Sequence, residues 1–471
     1  MGRSVLWLRN DLRLANNPAL IAALEAGQVV PVFVLDPAMT LGAASRWWLH
    51  HSLSSLASEI SARGANLVLR RGEARQIIPT LAKQIEADAV HAGKSHEPWL
   101  READRDIATG LSTQRRAFYR HRSALMLDPE QIKTKAGDSY RVYGPFAAAC
   151  FEAYMPRPLT DAPKRIRGIG QIDSENIDEW ELLPTKFDWA DGLRATWQPG
   201  ERGAQQRLTQ FLEFGLEPYN ERRNLPAAAG TSMLSPHLHW GEISVDAVWL
   251  ATKAANTKHH VGKNAFLKEL LWREFAAHLL WHHETLATAP MKPIFASLLW
   301  RRAPTELRAW KRGLTGVPII DAGMRQLWET GWMHNRVRMM AASFLVKNLL
   351  IRWQDGESWF WDTLVDADAA SNAASWQWVA GCGVDATPYF RIFNPVLQGQ
   401  KFDPGGDYVR RYIPELAGLP ARYIHSPWIA PESTLRAARV TLGKTYPLPI
   451  VDLKASRERA LTAFRKLKIA G

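Results

Sequence analysis

Cysteine is nearly absent: Cys150 and Cys382 are the only two in 471 residues, and they lie far apart in the chain. That excludes a disulfide framework and a four-Cys iron–sulfur cluster, so any redox group is organic or otherwise ligated, and no metal ligand set is assigned. Long apolar runs are missing too. Nothing approaches the roughly 18 uncharged apolar residues of a membrane span, and the start MGRSVLWLRNDLR lacks the longer apolar segment and small-residue cleavage site of a secretory signal. The expectation is a soluble, intracellular, cytoplasmic protein. Neither GxGxxG nor GxxxxGK[ST] occurs, so no glycine fingerprint supports dinucleotide or nucleotide-phosphate binding. Internal repeats and low-complexity tracts are also lacking.

What is present is a chain with 46% hydrophobic residues, long enough for more than one core. A formal charge of +12 favours a polyanionic partner, because Lys and Arg that neutralise phosphates release condensed counterions. The cations stand beside amides and aromatics in RNDLR, YNERRN and HNRVRMM rather than in a tail, which tilts the reading toward nucleic acid.

Residues 1–127 alternate short β-branched runs (SVLWLRN, VVPVFVLD, NLVLRRG, AVHAG, QRRAFYRH) with helical patterns, the signature of βαβ units and a Rossmann-like parallel sheet. Such sheets bind ligands at the carboxyl ends of their strands. Residues 128–200 are rich in Pro, Asp and Gly and read as an interdomain linker, within which YRVYGPFAAACFEAY is expected to be ordered and to dock on a neighbouring domain. From 201 to 471 the strand signature vanishes and apolar residues recur at three and four, as in Leu267, Leu270, Leu271 and Phe275, so an all-α domain is expected.

Thirteen of the 21 Trp lie between Trp240 and Trp378. Trp serves stacking and large cores, and this density asks for an aromatic ligand, an aromatic substrate or an electron path. In TSMLSPHLHWGEIS, Thr231, Ser232 and Ser235 are able to cap a helix and offer N–H groups to an anion. In LKELLWREF, helical spacing puts Glu269, Trp272 and Arg273 on one face. The same spacing joins Asn335, Arg338 and Met339 in HNRVRMM, and Asn372 to Trp376 in DADAASNAASWQW. A buried Arg338 needs a carboxylate, and Asp366 is the candidate; a surface pair would contribute only about 0 to 1 kcal/mol.

Together with TGWMHNRVRMMAASFLVKNLL, YFRIFNP, LWLRNDLRLANNPAL and VFVLDP, these motifs span nearly the whole chain. In this order they closely resemble the photolyase/cryptochrome family, in particular bacterial class I cyclobutane pyrimidine dimer photolyases. The resemblance implies a U-shaped FAD in the helical domain. Tyr219 and the segment Thr231, Ser232, Met233, Leu234 and Ser235 would surround its phosphates and ribityl chain, with Arg273 also in contact; Arg338 and Asp366 would pair over the isoalloxazine; Asp368 would contact polar groups; and Asn372 would face N5. Asn rather than Asp at that position is the pattern of a flavin kept in the reduced anionic form. Glu269 and Asn335 would contact the thymine carbonyls, with Trp272, Met339 and Trp378 packing the lesion's apolar faces. Arg222, Arg223, Lys268, Arg336 and Gln398 would contact DNA. Photolyases for (6-4) products carry a pair of His at the Asn335 and Met339 positions, and the DASH branch tends to Tyr at Trp272 and Trp378; this chain follows the dimer-repair pattern at all four. The implied electron chain runs Trp376, Trp353, Trp300, although a single Trp in a helical bundle is ordinarily a core side chain.

The implied activity is light-driven repair of cyclobutane pyrimidine dimers by electron transfer from reduced FAD, in a monomer that binds damaged DNA without an obligate protein partner. The competing expectations are a blue-light-sensing cryptochrome without repair, against which the short tail SRERALTAFRKLKIAG counts, and a damaged-DNA binder without turnover. A second, antenna chromophore is expected in the amino domain. Folate, deazaflavin and flavin all stay open: Leu286 and Ala287 stand where one subgroup holds a folate partly through a Cys-Lys pair, so that contact is expected to be absent, and His96, Glu97 and Pro98 are compatible with a deazaflavin or flavin.

Overall fold

A computed structural model describes residues 2–386, 388, 389 and 391–470, with the side chains of 468–470 excepted. The alternating amino-terminal pattern folds as β1 (Gly2–Leu8), α1 (Pro18–Ala26), β2 (Gly27–Leu35), α2 (Ala43–Ser61), β3 (Val68–Arg71), α3 (Ala74–Gln84), β4 (Ala89–Gly93), α4 (Pro98–Thr113) and β5 (Ala117–His121). The five strands are parallel in the order β3-β2-β1-β4-β5, with Val5 opposite both Val30 and Val90. A parallel sheet is buried on both faces, so its strands read as near-continuous apolar runs. Val5, Trp7, Val32, Val90, Ile78 and Ile107 accordingly share one core. The strand order reverses between β1 and β4, and that switch point is where ligands bind such sheets. The α/β class expected from the sequence is the one observed.

Beyond β5, the residues read as aperiodic contain a helix, α5 (Tyr143–Ala153), a 3-10 turn Ile177–Trp180 and a short helix Asp191–Thr196. They also cover the edge of the sheet. The Leu69 N–H donates to Ser174 Oγ and the Arg71 N–H to Glu175 Oε1, while the Leu69 carbonyl accepts from the Glu175 N–H. An edge strand left bare is a template for unwanted pairing, so this connection protects β3. As the aromatic pattern of YRVYGPF suggested, α5 docks on the helix His260–His282, through Phe146 against Phe275 at 5.2 Å.

After Gly200 the described residues contain no strand, only an isolated bridge between Leu442 and Tyr446. The principal helices are Val245–Ala254, His260–His282, Pro318–Thr330, Asn335–Ser343, Trp353–Thr363, Ala369–Ala380 and Leu453–Ala470. Two π-helical turns, Phe211–Gly215 and Phe344–Asn348, extend helices; such turns are frequent at functional sites. Among the described residues no helix is long and apolar enough to cross a membrane. The chain divides into two compact units, one formed by Met1–Glu217, Ser232–Glu284 and Val365–Ala370, the other by Pro218–Thr231, Thr285–Leu364 and Ser371–Gly471.

Candidate functional site

In the first unit, the helix His260–His282 sinks Phe266, Leu267, Leu270, Leu271 and Phe275 into the core. Glu269 and Trp272 are left one turn apart toward the surface, Trp272 being 38% exposed. Arg273, at the third position of that helical spacing, is half-buried. Its guanidinium donates to the carbonyls of Ala124 (2.8 Å) and Leu238 (3.3 Å) and to Glu274 Oε1 (3.2 Å). Five donors on a planar fork can satisfy several carbonyls at once, and the backbone here supplies them. Glu274, which no local pattern marks, accepts from the Met126 N–H at 2.9 Å; burial pushes its carboxyl up to about 7, against the pull of Arg273.

The segment around Ser235 is not the cap that its hydroxyls suggested. The helix Ser235–His239 has Leu234 at its N-cap, with no side-chain cap bond. The Ser235 hydroxyl instead donates to Asp366 Oδ2 at 2.6 Å. Met233 adopts the left-handed conformation (φ 52°), which turns the chain sharply just before that helix.

Asp368 has two histidine neighbours, His239 Nδ1 at 3.5 Å and His96 Nε2 at 3.9 Å. All three line a polar cavity at the carboxyl ends of β1 and β4, together with Asn10, Lys94 and Arg273. Both ring nitrogens of His96 and Nδ1 of His239 are buried without a hydrogen-bond partner. Unpaired buried polar atoms cost about 1 to 3 kcal/mol each, so this lining suits a polar group or ordered water.

In the second unit, Asn372 is buried and its orientation is fixed. Its Nδ2 donates to Glu357 Oε1 (2.8 Å) and to the Glu357 carbonyl (3.1 Å). Both donor hydrogens are thereby engaged, and Asn372 Oδ1 is the atom left to accept an N–H. Desolvation raises the Glu357 carboxyl to about 7, opposed by the Asn372 bond. Glu357 is a partner of Asn372 that the sequence did not disclose; the one hint was a carboxylate among the aromatics of WQDGESWFW.

Trp376 is 2% exposed and stands edge-on to Phe360 at 5.0 Å and Trp310 at 6.2 Å. Trp353 is equally buried, whereas Trp300 is half-buried. The Arg301 N–H donates to the Leu350 carbonyl at 2.8 Å, tying the residue after Trp300 to a point three residues before Trp353. Gln377, also missed, is wholly buried: its amide donates to the carbonyls of Leu286 and Ala289, and its Oε1 accepts from the Met291 N–H. It locks the helix Ala369–Ala380 to the 286–291 segment.

Asn335 is exposed at the start of the helix Asn335–Ser343, which is capped by His334 accepting from the Arg336 N–H. The Arg336 guanidinium reaches Asn224 Oδ1, lies 4.6 Å from the Phe402 ring centre and meets Met339 Sδ at 3.9 Å. Burial and the charge of Arg223 lower its pKa from the usual value. Arg223 in turn sits over Tyr219 at 5.4 Å. Arg338 Nε donates to the Met333 carbonyl at 2.7 Å. Trp378 and Gln398 are half-buried, on the helices Ala369–Ala380 and Pro395–Phe402.

Two family models match the chain: DNA photolyase over residues 4–164 and the FAD binding domain of DNA photolyase over residues 266–466. A deoxyribodipyrimidine photo-lyase of Agrobacterium fabrum is 48% identical, covering 98% of both chains. Cryptochrome-1 of Arabidopsis thaliana is 35% identical over 99% of this chain and 70% of its own length. The crystal structure of a bacterial class III photolyase from Agrobacterium tumefaciens superposes with a TM-score of 0.97 at 47% identity, covering 99% of this chain and 98% of the other. That relative is a class III photolyase, whereas the motifs resemble those of class I.

Proposed function

Because the chain belongs to the photolyase/cryptochrome family, we propose that it is a deoxyribodipyrimidine photolyase of the class III type, which uses light to split cyclobutane pyrimidine dimers in DNA. The observation that carries this reading is the held amide of Asn372: with both Nδ2 hydrogens on Glu357, its oxygen is presented to an N–H, as a reduced flavin offers at N5. An aspartate there would present a charge instead and disfavour an anionic ring. The similarity to the Agrobacterium structure supports the class.

The remaining candidate residues belong to the same proposal. Tyr219, Thr231–Ser235, Arg273, Arg338, Asp366 and Asp368 would hold FAD, with Ser235 steadying Asp366. When bound and reduced, FAD supplies the light-excitable electron donor; the protein supplies orientation and electrostatics. Glu269 and Asn335 stabilise charge that develops on the pyrimidine carbonyls, as an oxyanion hole does, while Trp272, Met339 and Trp378 exclude water from the apolar faces. Arg223, Arg336, Lys268 and Gln398 contact the backbone of a duplex from which the dimer is extruded, a step that costs least for damaged, poorly paired bases. Trp376, Trp353 and Trp300 carry electrons inward for photoreduction.

A second chromophore in the α/β part belongs to the same proposal. His96, Glu97 and Pro98 follow β4 at the ligand-binding end of the sheet, and the buried aliphatic Leu286 speaks against the Cys-Lys folate contact. Absorption spectra before and after denaturation identify both chromophores. The decisive test is Glu269→Ala in flavin-loaded protein: affinity for undamaged DNA and flavin content stay as in the wild type, and repair per absorbed photon falls. Unchanged yield removes the role of Glu269, and a wild type that binds FAD but repairs no dimer is a cryptochrome.

A further inference from the structure

Tyr143, the first residue of α5, lies flat against Trp272, with ring centroids 3.6 Å apart and planes within 4°. The Tyr143 hydroxyl donates to the Lys268 carbonyl at 2.7 Å, one turn before Trp272 on the same helix. The tyrosine is therefore pinned twice, by its face and by its far end. Phe275 closes the corner edge-on to both rings, at 5.9 Å from Tyr143 and 6.1 Å from Trp272. A face-to-face sandwich is not the arrangement aromatic pairs prefer when left to themselves; the hydroxyl anchor and the Phe275 corner hold it. Tyr143 lies against one face of the indole, and Trp272 still keeps 38% of its surface exposed. With Tyr143 on one face, the opposite face is the one left to meet a ligand.

We propose that Tyr143 is a positioning residue for lesion recognition: a backing plate, contributed by the segment that follows the α/β sheet, which fixes the Trp272 indole so that its open face meets the extrahelical pyrimidine dimer at a set angle. This rests on the reading that Trp272 packs against the dimer. An exposed Trp free to change rotamer would lose that freedom on binding, whereas a stacked one has lost it already. Preordering one such side chain changes affinity roughly two- to tenfold. The benefit is confined to DNA whose damaged bases enter the pocket, so Tyr143 contributes to the discrimination between damaged and undamaged duplex rather than to binding in general.

The test compares flavin-loaded wild type with Tyr143→Phe, Tyr143→Leu and Trp272→Ala, using a duplex oligonucleotide with one thymine dimer and its undamaged twin. The leucine variant is expected to bind the dimer duplex roughly two- to tenfold more weakly, with unchanged affinity for the undamaged duplex and unchanged flavin content. The phenylalanine variant keeps the stack and falls between it and the wild type. In protein labelled with 5-fluorotryptophan, the Trp272 resonance, identified by its loss in Trp272→Phe, shifts in Tyr143→Leu and stays near its wild-type position in Tyr143→Phe. Should the leucine variant not fold, Tyr143→Met takes its place with the same expectations. Wild-type dimer affinity in Tyr143→Leu alongside a loss in Trp272→Ala overturns the role of Tyr143 while the lesion reading stands. Wild-type dimer affinity in Trp272→Ala overturns the lesion reading itself, and an unmoved fluorine resonance in Tyr143→Leu overturns the stack.

Discussion

Replacing Glu357 by Gln separates what its carboxyl does for stability from what it does for Asn372. Burial raises the Glu357 carboxyl from 4.5 to about 7. A tenfold change in proton affinity is worth about 1.4 kcal/mol, so this displacement withdraws about 3 kcal/mol from the folded state once the group ionises. The sign follows from linkage: the folded pKa lies above the unfolded one, so stability is complete below about pH 4.5, falls as pH rises toward about 7, and is flat beyond. Glu357→Gln has no such loss. For a chain of this size the unfolding entropy is about 1 kcal/mol per kelvin, so the variant is expected to melt with the wild type near pH 4.5 and about 3 °C above it near pH 8. The cost appears at the cofactor. A glutamine amide both donates and accepts, so it no longer dictates which end of the Asn372 amide faces inward, and the reduction potential of the bound flavin should move. Melting curves across pH and a spectroelectrochemical titration read the two effects separately. Parallel pH profiles for wild type and variant would refute the reasoning, since Glu357 would then ionise normally in the folded protein.

Gly356 packs beneath Trp376: a Cβ there would lie 2.2 Å from the indole and 2.5 Å from the Leu345 side chain. Gly356→Ala is expected to destabilise by about 1 to 3 kcal/mol and to slow photoreduction of oxidised FAD, while chemically reduced protein still repairs; Trp376→Phe should reproduce the loss of photoreduction without most of the destabilisation. Arg223→Ala and Arg336→Ala should each reduce the slope of log affinity against log salt by about 1, equally for damaged and undamaged duplex. Fluorescence anisotropy in a salt series checks this, and a slope that changes only for damaged DNA would reassign these residues to the lesion.

The sheet was legible because its strands are short β-branched runs punctuated by helical patterns, a local property; β3 and β5 appear where NLVLRRG and QRRAFYRH placed them. The docking of α5 was legible for a similar reason, since Tyr143 and Phe146 repeat at three residues, as do Trp272 and Phe275 opposite them. Polar pairings were a different matter. Ser235 and Asp366 are separated by 131 residues, and nothing local distinguishes a hydroxyl that caps its own helix from one that serves a distant carboxylate. Arg273 stood at the spacing of Glu269 and Trp272, but its long side chain could reach carbonyls that no helical wheel displays.

Glu357 marks where sequence reasoning could have gone one step further. Its helix carries Trp353, Trp359, Phe360 and Trp361 within nine residues, a density that forces part of the polar face out of water. A carboxylate so placed must find a donor or keep its proton. Asn372 is the donor the fold gives, one without charge of its own, and on the proposed function that lack of charge is what an anionic ring beside it requires. An arginine in its place would satisfy Glu357 more strongly but spend its charge on the pair, and an aspartate would leave two carboxylates facing each other. The choice of an amide at position 372 is therefore constrained from both sides, by the buried acid behind it and by the charge expected in front.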